Sequence, residues 1–162
     1  MKVEVERRFL VAGDGWRAGV ARSRAIRQGY LAREDGVTVR LRLAAGRGTL
    51  TIKGPGLLVR PEFEYPVPAE EAEAMLAALC AGRSLAKTRH DVPFGGLLWE
   101  VDVFEGPLAG LVLAEVELPD ALHAPELPPW AGAEVTQDPR YANAALASAA
   151  GPPGGDVPRG AP

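Results

Sequence analysis

The chain has 162 residues, 47% of them hydrophobic, a formal net charge of -3 and a single cysteine, Cys80. That length supports one domain with a buried core, and the lone cysteine excludes an internal disulfide and a paired-cysteine zinc site. The mild acidity gives no hint of a general affinity for nucleic acid, and no apolar run resembles a signal peptide or approaches the roughly 20 residues of a membrane span, so a cytoplasmic protein is expected.

The first element is VEVERRFLV, where Val3, Val5 and Phe9 fall on one parity and Glu4, Glu6 and Arg8 on the other, the signature of a strand over about 2–11. DGWRAGVARSR, around 14–24, predicts a short helical turn with Asp14 as its cap. Its Arg17, Arg22 and Arg24, with Arg27 just beyond, read as an exposed segment that steers anions toward one mouth of the fold. Strands follow at about 26–34, 37–44, 48–54 and 58–66, separated by the turn chemistry of EDG, AGRG and GPG. AEEAEAMLAALCAG then switches to helical period, with Ala72, Met75, Leu76 and Leu79 on one face, Cys80 as a small core residue and Gly82 as a stop.

Three more strands, at about 84–93, 97–105 and 110–118, bring the count to eight, and RYANAALAS predicts a second helix. From Ser148 onward Gly, Pro and Ala dominate without apolar period, which predicts a disordered tail over 148–162 beside a domain of 1–147. Hairpin-length loops make the sheet antiparallel, and eight strands suit one barrel or a strongly curled sheet.

Charged residues recur in pairs at strand spacing, sorted by sign. Glu4 and Glu6, Glu62 and Glu64, Glu100 and Asp102, and Glu115 and Glu117 are the acidic pairs; Arg40 with Arg42 and Lys87 with Arg89 are the basic ones, joined by Arg8 and Lys53. A merely solvated face would mix signs, because opposite charges on neighbouring strands attract. Paired carboxylates suit a hard cation such as Mg²⁺, and paired Arg and Lys suit phosphate. The economical geometry is a barrel with a charged lumen and helices packed outside. Eight carboxylates against six cations give this set a formal sum of -2, with Arg60 a further candidate cation, so a metal should be needed before a polyanion enters.

EVERRFLV resembles the ExExK signature of the CYTH family, the triphosphate tunnel metalloenzymes. QGYL, VRLR, LTIKGPG, RPEFEYPVP, KTR, WEVDVF, LVLAEVEL and EVTQDPRYANAALA follow in the order of its bacterial members, over about residues 2–147. The resemblance implies a mostly β fold: an eight-stranded antiparallel closed tunnel with charged lumen and flanking helices. It further implies hydrolysis or rearrangement of triphosphates with Mg²⁺ or Mn²⁺. By the same resemblance Glu4, Glu6, Glu115 and Glu117 would be the metal ligands, with Glu62, Glu64, Glu100 and Asp102 completing the acidic lining. Arg8, Arg40, Arg42, Lys53, Lys87 and Arg89 would bind the phosphates. Two positions depart from the pattern. Arg8 replaces the signature lysine and cannot act as a proton acceptor, and His90 replaces a tyrosine on the outer face, where a structural role is expected.

The function expected is a metal-dependent triphosphatase acting on inorganic triphosphate or a small organic triphosphate. A water, bound to a second metal or placed by a carboxylate or by deprotonated Lys87, would attack the terminal phosphorus, with Arg8 gripping the phosphate. Tyr30 is either an inward group that orients substrate or a packing residue. The alternatives are an adenylate cyclase of the same fold and a non-catalytic polyphosphate or nucleotide-binding module. No GxxxxGK[ST] loop is present. The expected partner is a small-molecule triphosphate, with no nucleic acid or membrane, and a homodimer is compatible with the reading.

Overall fold

The computed structural model describes residues 2–154. Nine strands are formed: β1 (Lys2–Val11), β2 (Arg22–Glu34), β3 (Val37–Ala44), β4 (Arg47–Lys53), β5 (Val59–Val67), β6 (Ser84–Phe94), β7 (Leu97–Phe104), β8 (Val112–Glu117) and β9 (Ala131–Glu134). Two α-helices, α1 (Ala69–Leu79) and α2 (Asn143–Leu146), and three short 3-10 turns complete the elements of the described residues.

All pairings are antiparallel in the order β5-β4-β3-β2-β6-β7-β8-β1, and residues 2–5 of β1 close the barrel against 59–62 of β5. β9 takes the same edge of β1 beyond the end of β5, at Phe9 and Val11. This ninth strand is not among the eight expected. Its AGAE sequence has neither alternation nor β-branched residues to mark it.

Several boundaries differ from expectation. Residues 22–25 belong to β2, whose Arg22 pairs with Asp91, so they are not an exposed connection. The helical turn lies at Gly15–Gly19, and the Asp14 side chain does not cap it but accepts a bond from Arg17 Nε at 2.9 Å. RYANAALAS is split, because Ala142 is extended between a 3-10 turn, Pro139–Tyr141, and α2. The expected tail is described only as far as Gly154; Ala149 packs beside a core cluster, and residues 155–162 lie outside the described residues.

The strand period turns charge inward and apolar residues outward, so the main core lies outside the barrel. Val5, Phe9, Trp99, Val101 and Val116 form its floor under Trp16, Leu118 and Trp130. Trp99 lies 5.5 Å from Phe9 and 5.7 Å from Trp130 between ring centroids. This face is therefore covered by a 3-10 turn and by the chain between β8 and β9, not by a helix. α1 covers β2–β4, and on β5 Phe63 and Tyr65 stay exposed. The approach of α1 depends on Gly29, where a Cβ would lie 2.6 Å from Cys80 Cβ.

One barrel end is closed by a second apolar cluster. Tyr30, Leu85, Phe104 and Leu113 share the inward parity of the charged rows, and Leu111, Tyr141 and Leu146 pack with them. The lumen is consequently a cup with α2 in its base.

Candidate active site

The cup holds a cavity of about 420 Å³ lined mostly by charged side chains. Glu4, Glu6, Arg8, Tyr30, Arg40, Arg42, Lys53, Glu62, Glu64, Arg89, Glu100, Glu115 and Glu117 line it, as the inward parity requires. Lys87 and Asp102 do not. They have the same parity but lie a layer deeper, both side chains fully buried, with Lys87 Nζ 2.5 Å from Asp102 Oδ2.

Lys2, Arg33, Thr38, Arg60 and Asn143 join the lining. Arg33 faces inward because a register shift between Tyr30 and Ala32 changes the parity of β2, which a strict period-two reading does not register. Arg60 follows the parity of Glu62 and Glu64 across Pro61. Asn143 comes from a four-residue helix with no pattern of its own. The lining thus carries eight cations and seven carboxylates, a formal +1. This corrects the expected deficit of -2, so the charge count does not by itself demand a metal.

The carboxylates are held apart by the cations. Lys53 Nζ bonds both oxygens of Glu4 at 2.9 and 2.8 Å, and Arg60 Nε reaches Glu4 at 2.9 Å. Burial raises the pKa of Glu4, but Lys53 and Arg60 outweigh it and hold the group at about 2. Arg8 bridges two acids, Glu6 at 2.5 Å and Glu115 at 3.0 Å. Arg89 spans Asp102 at 2.6 and 2.7 Å, Glu115 at 2.7 Å and Glu100. Burial and then the Glu115 carboxylate push Glu6 up, while burial of Glu115 is outweighed by Arg8 and Arg89, which hold it well below the carboxylate range.

The opposite wall is only weakly compensated. Arg42 gives both Nε and Nη2 to one amide oxygen, Gln28 Oε1, at 3.2 and 3.0 Å, and makes no carboxylate pair among the described residues. Burial, then Arg40 and Arg89, lower its pKa to about 10. Arg40 bonds Thr51 at 3.0 Å and comes no nearer than 3.7 Å to Glu64, and its buried Nε has no partner. An acidic wall on β1 and β8 therefore faces a basic wall on β3, an arrangement suited to a polyanion with room for a cation on its other side.

Residues 2–146 match the CYTH domain. The chain belongs to the CYTH family. This CYTH chain is 42% identical over 147 residues to the inorganic triphosphatase of Acetivibrio thermocellus, covering 90% of this chain and 94% of that protein. It is also 42% identical over 148 residues to the inorganic triphosphatase of Nitrosomonas europaea, with 89% and 96% covered. The crystal structure of an inorganic triphosphatase superposes with a TM-score of 0.68 at 39% identity, covering 92% and 97%.

As a site for a divalent cation, the acidic wall fits in chemistry, since it offers only carboxylate oxygens. In arrangement the guanidinium groups intervene: among the described residues no three acidic, histidine or cysteine groups converge. His90 lies on the outer face as expected, 4.9 Å from Trp16 between ring centroids and 2.7 Å from Ser23 Oγ through Nδ1. Arg24 Nη1 donates to both oxygens of Asp91 at 2.7 Å and Nη2 to Glu100 at 3.0 Å, which corrects its reading as a free surface cation. No helix among the described residues is long and apolar enough to cross a membrane.

Proposed function

We propose that this cavity binds and hydrolyses inorganic triphosphate or a small organic triphosphate with the help of Mg²⁺ or Mn²⁺, in the cytoplasm. The observation that carries the reading is the basic wall: Arg40 and Arg42 keep buried donors that no carboxylate satisfies. Phosphate oxygens are the complementary acceptors, and a guanidinium fork binds two at once. The names of the two relatives support triphosphate as the substrate.

Arg40 and Arg42 hold the phosphate chain from one side. Arg8 grips it from the other, where its guanidinium already spans Glu6 and Glu115. Glu4, Glu6, Glu115 and Glu117 would hold the metal through their carboxylate oxygens. A bound divalent cation would supply charge neutralisation at the phosphate oxygens. The proton of the attacking water goes to a lining carboxylate. Lys87, bonded below the surface to Asp102 and Asn143, supports the floor instead of meeting the substrate. Tyr30 orients the substrate from the plug.

The test is release of phosphate and pyrophosphate from inorganic triphosphate, ATP and thiamine triphosphate with Mg²⁺, Mn²⁺ or EDTA, beside Glu4→Gln/Glu6→Gln. Metal-dependent turnover lost in the double variant is the result expected. Cyclic nucleotide from ATP, or triphosphate binding without turnover, would overturn the reading.

A further inference from the structure

We propose that Asn143 is a positioning residue: its single amide closes a ring of five side chains that fixes Glu115 and Arg89 in the cavity wall. The proposal rests on the triphosphatase reading of that cavity.

Asn143 Oδ1 accepts from Lys87 Nζ at 2.9 Å, and Nδ2 donates to Glu115 Oε1 at 2.9 Å. Lys87 continues to Asp102 at 2.5 Å, Asp102 to Arg89 at 2.6 and 2.7 Å, and Arg89 to Glu115 at 2.7 Å, which completes the circuit. The four charged members come from three adjacent strands, β6, β7 and β8, and sum to zero. Asn143, from α2, is the neutral member. Lys87 and Glu115 share no direct hydrogen bond, so without the amide the ring becomes an open chain.

The chemistry permits one amide orientation. An ammonium only donates and an ionised carboxylate only accepts, so the oxygen must face Lys87 and the nitrogen Glu115. Aspartate provides only the first contact, and leucine, of similar shape, provides neither. With the circuit closed, Glu115 receives three donors, from Arg8, Arg89 and Asn143, and its oxygens are fixed before substrate arrives. The same residue couples the plug to the site, because α2 also carries the buried Leu146.

The experiment compares wild type, Asn143→Leu and Asn143→Asp by kcat and KM for triphosphate with Mg²⁺, each assayed well below its own melting temperature. Labelling of Lys87 by an amine reagent, read by peptide mass spectrometry, is measured in parallel. Asn143→Leu is expected to lower kcat about tenfold or more with KM within about threefold, the size of one lost charge-assisted hydrogen bond. Asn143→Asp keeps the acceptor for Lys87 but sets a carboxylate against Glu115, so kcat falls at least as far while Lys87 stays unlabelled. A kcat for Asn143→Leu within about twofold of wild type, or a loss that disappears when activity is expressed per folded molecule, overturns the proposal. If wild type does not hydrolyse triphosphate, the functional reading falls and labelling judges the ring. Lys87 labelled in Asn143→Leu but not in wild type or Asn143→Asp supports the ring; equal labelling in all three overturns it.

Discussion

Arg42 shows how a binding residue is set against stability. Its charge is buried beside Arg40 and Arg89, with one amide oxygen as partner, and its pKa falls from the ordinary guanidinium value to about 10. The unfolded chain therefore holds that proton more tightly. The group destabilises the fold below about pH 10, and the penalty fades as pH rises from there toward the unfolded value. Arg42→Gln should raise the melting temperature of the ligand-free protein at neutral pH and abolish most of the increase that triphosphate produces. Calorimetry with and without triphosphate checks both; a lower melting temperature with the ligand response intact would refute the argument. Arg42 itself was legible, since period two places Arg40 and Arg42 on the face of the acidic rows. Depth was not. Lys87 and Asp102 obey the same parity as Arg89 and Glu100, yet lie beneath the cavity, because alternation assigns a face and leaves position along the barrel axis open.

At the scale of elements, seams between helix and sheet carry constraints that strand patterns do not reveal. In β2, Gly29 looks like a weak point for a strand, whereas α1 needs it: a Cβ there would meet Cys80 Cβ at 2.6 Å, Cys80 Sγ at 2.8 Å and Leu76 Cδ2 at 3.0 Å. Gly29→Ala should cost about 1–3 kcal/mol through overpacking, seen as a drop of several degrees in a thermal melt. Cys80→Gly in the same chain should recover part of that loss; no recovery would place the strain elsewhere. The eight barrel strands were legible because each carries alternation bounded by Gly or Pro turns. β9 was not, since AGAE is four residues and owes its conformation to neighbours already in place; α2 was read within RYANAALAS, but not the extended Ala142 that cuts it to NAAL. The edge of β1 beyond β5 recruits the strand, and the apolar base of the cup recruits the helix.

Across the whole molecule, a chain of net charge -3 presents a cavity whose lining sums to +1, so a polyanion is drawn by local field and not by total charge. The sequence located basic residues near the first connection but assigned them to a surface that the fold redistributes. Arg17 stacks over Trp16, 4.4 Å from its ring centroid, Arg24 is locked to Asp91 and Glu100, and Arg22 is exposed but does not line the cavity. Arg33 is both exposed and part of the lining, which makes it the residue to test as a guide for the incoming anion. Arg33→Glu should lower kcat/KM for triphosphate about tenfold at low ionic strength with little change in kcat, and Arg22→Glu should leave both near wild type. The gap between wild type and Arg33→Glu should narrow as salt is raised toward 1 M, where the screening length shrinks to about 3 Å. A deficit that ignores salt would mean that Arg33 acts by direct contact with the bound phosphate, and an equal deficit in Arg22→Glu would mean that the field is not focused at this mouth at all.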